Sequence, residues 1–361
     1  MIRENRNFLI LLAIISVGAA LRVYNFGFQP IACDEIYTLS ISKMSFLSGF
    51  MYVLVNDCTP PLFYLFARAA YIAGGFADVA IRVPSIIFGI LTIPAIFYLG
   101  QECKFNTQSD DRETIGIFAA AITAILYPLI YYSQFARAYM MVVFVSIVFF
   151  TVFLHIRNKS GRVPIHYYIL LGVLGAVAVW IHLFAIFPVV VTILTLFFTT
   201  SRRNAMASAS VVFLALLLLI PSFISTRETR AIEDFPGVAA LDLPVLIPIE
   251  FFNLGLFVLL PLIAFGIYLA RNDKVALESL VIIFLSTLVG ISVTLVTQVF
   301  PRYFLPVAPL LILFASFALS AIVSKMKDWA KPIVIVGFFI ILILTQYTAL
   351  TALYTVTRLT C

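Results

Sequence analysis

Eleven runs of about 16 to 23 mostly apolar residues, separated by short segments rich in Lys and Arg, govern what this chain can become. A run of about 20 apolar residues makes a helix that crosses about 30 Å of hydrocarbon, and a helix satisfies its own backbone there. The runs are 8–26, 80–100, 114–132, 138–156, 165–180, 184–200, 205–224, 250–270, 277–299, 303–323 and 333–354. Hydrophobic residues make up 63% of the 361, and charged residues 11%, which leaves too little polar surface for a soluble core. The fold class is therefore an all-α polytopic membrane protein with about eleven transmembrane helices, in one membrane domain spanning 1–361. The first run is longer than the apolar core of a signal peptide and reads as an uncleaved anchor.

The short basic segments orient the helices. With the N-terminus cytoplasmic, Arg3, Arg6, Lys104, Arg112, Arg157, Lys159, Arg162, Arg202, Arg203, Arg271, Lys274, Lys325, Lys327 and Lys331 all fall inside, 14 of the 23 basic residues. That distribution explains the net charge of +6 without a nucleic-acid partner. The C-terminus then lies outside, and no soluble domain follows the last expected span. The outward segments are 27–79, a turn at 133–137, a turn at His182, 225–249 and 298–302. Within the first of these, 36–54 and 60–75 read as helices lying in the outer interface. Counting 60–75 as a span would make twelve and would put Lys104, Arg112 and the Arg157–Arg162 cluster outside.

Unusual polar residues gather at the outer ends of the runs. Asp34 and Glu35 are the first candidates, since ionisable groups beside a membrane helix mark functional sites. As neighbours on a helix they point about 100° apart, so one carboxylate can act as base on an acceptor hydroxyl while the other orients it or holds a metal. An interfacial pair neutralised by an arginine is the competing structural reading. Asp57 precedes Pro60-Pro61, which fix the backbone at a helix start, so it is either a cap or a site residue. Arg82, Arg137 and Arg302 offer paired donors suited to phosphate, or else snorkel and pair with carboxylates. Tyr139 and Tyr303 each adjoin one of these arginines and His182 follows Trp180 at an outer turn; all three are candidate substrate contacts, with aromatic-belt or structural roles as the alternatives. Tyr131 and Tyr132 read as interface aromatics. Asp34, Glu35 and Asp57 could together hold a divalent metal ion, yet no His-rich ligand set accompanies them and no cofactor is assigned. Cys33 and Cys58 share the first outer segment and could form one disulfide, although no spacing rule decides it. Walker A and dinucleotide-binding signatures are lacking.

Taken in order, these segments resemble the GT-C superfamily of integral-membrane glycosyltransferases. The likeness is to the branch holding protein O-mannosyltransferases and the lipid A aminoarabinose transferase (glycosyltransferase family 39 and its relatives). The matching pieces are Leu21-Arg22, Cys33-Asp34-Glu35-Ile36-Tyr37, the stretch from Asp57 to Tyr64, the stretch from Ile81 to Gly89, Tyr132 to Tyr139, and Pro301-Arg302-Tyr303. The resemblance implies a sugar donor on a polyprenyl phosphate, an extracytoplasmic active site and inversion at the anomeric carbon. It implies Asp34 as the general base or acceptor-orienting group, with Glu35 as its partner, and Arg82, Arg137 and Arg302 as phosphate or structural contacts. Family members usually carry His or Lys just before the paired prolines. Here the residue is Thr59, which carries no positive charge; if that position normally helps bind donor phosphate, one of the arginines must compensate.

The expected activity is transfer of a sugar from that donor to a lipid, glycan or protein hydroxyl on the extracytoplasmic face. The competing class is a transporter or lipid flippase. Such a protein should carry polar residues mid-bilayer, in broken helices of two repeated halves, and the sequence shows neither. A non-catalytic assembly subunit is a third reading, under which Asp34 is replaceable.

Overall fold

The computed structural model describes residues 2–57, 59–105, 112–221, 242–293 and 299–355, and every regular element among them is helical. Seven helices are long and apolar enough to cross a membrane: Arg6–Val23, Asp78–Gln101, Tyr139–Asn158, Leu243–Ala270, Lys274–Ser292, Pro301–Ser324 and Ala330–Thr355. The chain is an integral membrane protein. In order, the helices are α1 (Ile2–Val23), α2 (Cys33–Lys43), α3 (Phe46–Asn56), α4 (Leu62–Ala73), α5 (Val83–Gln101), α6 (Arg112–Ile125), α7 (Tyr127–Ser133), α8 (Tyr139–Asn158), α9 (Ile165–Ile181), α10 (Ile186–Thr199), α11 (Arg202–Leu217), α12 (Leu243–Phe252), α13 (Leu256–Ala270), α14 (Lys274–Ser292), α15 (Ala308–Ser324) and α16 (Ala330–Thr355). Short 3₁₀ turns at Asp78–Arg82 and Pro301–Val307 lead into α5 and α15.

The span containing α15 lies at the centre, 83% buried, with α8 beside it, whereas only 11% of α16 is covered. Close approach in the centre depends on small residues, since lipid tails already satisfy apolar side chains and helices must gain by contact. A Cβ on Gly100 of α5 would stand 2.5 Å from the Gly116 Cα of α6, and one on Gly89 would strike the Ser133 side chain.

Two expectations are corrected. The run 114–132 is no straight span: α6 and α7 meet at a 61° bend. Pro128 has no N–H for the Ala124 carbonyl and its ring crowds that oxygen, so Leu126 turns extended and the helix restarts. The break frees two carbonyls and one amide, and neighbouring helices take all three. Arg22 of α1, fully buried, donates Nη1 to Ala124 O at 2.9 Å and Nη2 to Thr123 O at 2.9 Å. Gln346 of α16, equally buried, accepts from the Tyr127 amide at 3.2 Å and donates to Phe252 O at 3.3 Å. A cation suits the carboxyl end of α6, where unpaired carbonyls concentrate negative charge. The second correction concerns the run at 250–270, whose helical course begins earlier, at Leu243, with Pro244 at its first turn. Residues 222–224 and 294–298 of two other expected runs lie outside the described residues.

The first outer segment holds α2, α3 and α4. With 11, 11 and 12 residues they reach about 16 to 18 Å, too short to cross the hydrocarbon.

The packing makes a paired prediction. Gly100→Ala should lower stability by about 1–3 kcal/mol, because the new methyl meets backbone. Gly337→Ala, where nothing lies within 4 Å, should leave the thermal midpoint of the detergent-purified protein unchanged or slightly raised.

Candidate functional site

The α2 end of the bundle gathers most of the candidate residues, and a buried ion pair builds it. Glu35 and Arg82 are both fully buried. Arg82 Nε reaches Glu35 Oε1 at 2.8 Å and Nη2 reaches Oε2 at 2.7 Å. The other Arg82 donors go to the carbonyls of Phe26, Gln29 and Pro30, each at 2.8 Å. All five guanidinium N–H groups are spent. Glu35 in turn accepts from the Ala136 amide at 2.7 Å and the Ala32 amide at 3.0 Å. Ala32 cannot cap α2 with its own side chain, so Glu35 at the third helical position closes that end.

The sequence pairs Glu35 with Asp34 as catalytic groups; the structure separates them. Glu35 has four donors and no access, which makes it framework. Arg82, a candidate phosphate contact, has no donor left for a phosphate. The arginine-neutralised pair weighed as the alternative is what forms here, for Glu35 and not for Asp34.

Asp34 faces open space, its side chain 43% exposed. Its one side-chain partner among the described residues is Arg302, with Nη2 at 3.5 Å from Oδ2, a long contact. Arg302 Nε also donates to the Tyr139 hydroxyl at 2.9 Å, and its guanidinium lies 4.4 Å over the Phe300 ring. Arg137 approaches from the other side. Its Nη1 donates to Tyr64 Oη at 3.2 Å and to the Asp34 carbonyl at 3.4 Å, and Nη2 reaches Thr59 Oγ1 at 3.4 Å. Unlike Arg82, both arginines keep unspent donors among the described residues, and apart from the Arg302–Tyr139 bond their contacts are long, at 3.2 to 3.5 Å.

Asp57 accepts from Tyr64 Oη at 2.7 Å and from the Thr59 amide at 3.1 Å. It does not cap α4, whose first turn has no side-chain cap and starts after Pro61; it closes the turn after α3 instead and holds Tyr64 toward Arg137. Burial pushes the Tyr64 phenol well above its usual range; Arg137 opposes this and Asp57 reinforces it. The phenol stays protonated and donates. Burial works against the charge on Arg137, but Tyr64, Tyr139, Asp57 and Asp34 more than restore it, so its pKa is raised.

Arg137 is placed by the loop after α7. Glu35 binds the Ala136 amide, Thr38 Oγ1 donates to the Ala136 carbonyl at 2.9 Å, and Ser85 Oγ donates to the Arg137 carbonyl at 3.2 Å. Gln134 Nε2 donates to the carbonyls of Arg22 and Tyr24 at 3.1 and 2.9 Å, tying the loop to the end of α1.

An aromatic wall borders the arginines. His182 stacks at 5.8 Å from Tyr139 and 5.2 Å from Tyr303, and Phe184 lies 5.0 Å from Tyr303. Tyr132, read from sequence as an interface aromatic, packs 4.8 Å from Tyr139 and donates to Glu250. Glu250 was not singled out; a lone carboxylate opening an apolar run was the available signal.

The carboxylates Asp34, Glu35 and Asp57 do not assemble into a metal site. Glu35 is consumed by Arg82, both Asp57 oxygens hold local donors, and two guanidinium groups stand beside Asp34. No group of three metal-ligating side chains occurs among the described residues. Cys33 is disulfide-bonded; Cys58, its expected partner, lies outside the described residues.

No protein-family model matches the sequence, and no curated protein matches it by sequence. Solved structures do match in fold. The archaeal oligosaccharyltransferase AglB from Archaeoglobus fulgidus, in complex with an inhibitory peptide and a dolichol-phosphate, aligns at TM-score 0.61 with 13% identity over 99% of this chain. ArnT from Cupriavidus metallidurans in the apo state aligns at TM-score 0.62 with 16% identity over 92%. The chain shares the membrane fold of these two proteins. ArnT bound to undecaprenyl phosphate aligns at 0.57 with 18% identity. This chain spans 53% of the length of AglB and 62% of that of apo ArnT.

The division of roles predicts different failures. Glu35→Ala strands the buried Arg82 charge and should cost about 3–5 kcal/mol, seen as loss of the folded peak in size-exclusion chromatography or a large fall in thermal midpoint. Asp34→Asn, at an exposed position with one long contact, should move the midpoint by no more than about 0.5 kcal/mol equivalent.

Proposed function

We propose that this chain is an inverting glycosyltransferase that moves a sugar from a polyprenyl-phosphate donor to a hydroxyl of a lipid, glycan or protein. The observation that carries the reading is the convergence of one accessible carboxylate, Asp34, with two arginines whose donors are unspent. Arg137 and Arg302 would hold the donor phosphate. The rings of Tyr139, His182 and Tyr303 would flank the sugar or the first isoprene units, and Glu250 would fix Tyr132 against Tyr139.

Asp34 takes the proton of the acceptor hydroxyl as its oxygen attacks the anomeric carbon. The carbon–oxygen bond to phosphate breaks on the opposite face, and its electron pair leaves with the phosphate. The two guanidinium groups stabilise the charge that grows on the leaving oxygen. Donor phosphate competing for Arg302 would loosen the 3.5 Å contact to Asp34 and release the base. Glu35 and Arg82 hold the frame, and Asp57 with Tyr64 aims Arg137. No step is routed through a metal ion.

The proposed topology has eleven spans, with a helix over each of the eleven runs and α2–α4 in the outer interface. The site would be extracytoplasmic and the N-terminus cytoplasmic. Two cysteines support that orientation. Cys33, at the site end, is disulfide-bonded, whereas Cys103, beyond the far end of α5, is a buried free thiol that burial pushes up to about 12. Disulfides persist on the oxidising side of a membrane.

One broken helix is a feature of transporters as well, so the break after α6 favours that alternative at first sight. Arg22 turns Nη1 and Nη2 to backbone carbonyls and Gln346 is bonded at both ends of its amide, and both side chains are fully buried, which leaves neither open to a passing substrate.

Transfer from a panel of radiolabelled polyprenyl-phosphate sugars into membranes carrying native acceptors is the test. Wild type should transfer from one donor, Asp34→Asn should lose about 10²–10⁴-fold, and Arg137→Lys or Arg302→Lys should chiefly weaken donor binding. Full transfer by folded Asp34→Asn removes Asp34 as the base. No transfer by the wild type turns the reading to a transporter.

A further inference from the structure

The end of the bundle opposite Asp34 holds a second feature that the transfer chemistry does not use. A cavity of about 720 Å³ opens where α8 ends and where α9 and α11 begin. From Tyr139 at the site to Arg157, α8 rises by about 27 Å, so the two places lie at opposite ends of the bundle.

The lining includes Arg157, Lys159, Arg162 and Arg203 and no acidic residue. Arg157 is neutralised by Glu278. Lys159 rests 5.1 Å from the Tyr167 ring centre, which orients it without cancelling its charge. Arg162 and Arg203 are exposed and have no carboxylate partner among the described residues. Three uncompensated cations thus surround one concavity.

Two further observations point to an anion. The helices α9 and α11 begin at this cavity, and neither has a side-chain cap on its first-turn amides. Uncapped amides and the positive end of a helix favour phosphate oxygens. Tyr168 also lines the cavity. It is 1% exposed, yet its hydroxyl has no hydrogen-bond partner among the described residues.

We propose that this cavity binds a phosphate-bearing anionic group, at a site separate from the Asp34 centre. The surroundings favour a lipid headgroup as the source. Phe198, Met206 and Ile165, exposed at 75%, 58% and 47%, continue from the cavity along α10, α11 and α9 and would lie against acyl chains. Juxtamembrane cations attract anionic lipid in this geometry. A soluble phosphate would use the same cations and amides but not the apolar flank.

The full chain, purified in detergent, is incubated with phosphatidylglycerol or phosphatidylcholine, and retained lipid is counted by native mass spectrometry. A second arm adds inorganic phosphate to the protein in phosphatidylcholine nanodiscs and follows the thermal midpoint. Wild type should retain phosphatidylglycerol over phosphatidylcholine, and the double variant Arg162→Gln/Arg203→Gln should weaken this by about 30-fold. Lys331→Gln, on a basic residue away from the cavity, should change nothing. The exposed substitutions leave the fold intact, and an unchanged midpoint of the double variant checks this. A midpoint raised by inorganic phosphate in wild type and not in the double variant, with no lipid selectivity, would keep the site and assign it to a soluble anion. Equal phosphatidylglycerol retention by wild type and double variant, or no response to either ligand, overturns the proposal.

Discussion

The buried pair of Glu35 and Arg82 is the constraint on which the site depends. A buried charge is costly unless its lone pairs and N–H groups are occupied, and in this pair all of them are. The backbone partners come from two segments. The α1–α2 connection supplies three carbonyls and the Ala32 amide, and the loop after α7 supplies the Ala136 amide, while α2 and the turn before α5 carry the two side chains. Asp34 and Arg137 are each the immediate neighbour of a residue in that knot. Their positions follow from it, and their side chains stay uncommitted.

The bend between α6 and α7 has the same logic. Pro128 forbids a straight helix, and the freed backbone groups would be costly in hydrocarbon. Arg22 and Gln346 satisfy them from two other helices, which fixes α1 and α16 to the break. The bend in turn delivers the loop that carries Arg137. Polar residues inside the bundle are thus structural where their donors are spent, and available for chemistry at the α2 end where they are not.

Much of this was legible in the sequence. Apolar runs and basic clusters located a helix over every expected run, and most of the polar residues singled out from the sequence meet at the α2 end of the bundle. What the sequence did not show was which member of each set is spent. Asp34 and Glu35 have the same chemistry and adjacent positions, and only the turn of α2 sends one inward and the other to open space. Arg82, Arg137 and Arg302 are likewise indistinguishable until their hydrogen bonds are counted. Pro128 inside the run 114–132 is the visible signal of the bend, since its ring and missing N–H break a straight helix there. Glu250 and Gln346 were single polar residues in apolar runs, a visible signal whose partners, Tyr132 and the Tyr127 amide, are more than a hundred residues away.

The central claim is that donors left unspent, and not charge alone, mark where the phosphate binds. The position of the phosphorus atom in a density map of the full chain loaded with a polyprenyl monophosphate tests it most directly. The account predicts phosphate oxygens within hydrogen-bond distance of Arg137 and Arg302, with the Glu35–Arg82 pair unchanged beneath them. A phosphate held by Arg82, or seated away from both of the other arginines, would contradict it.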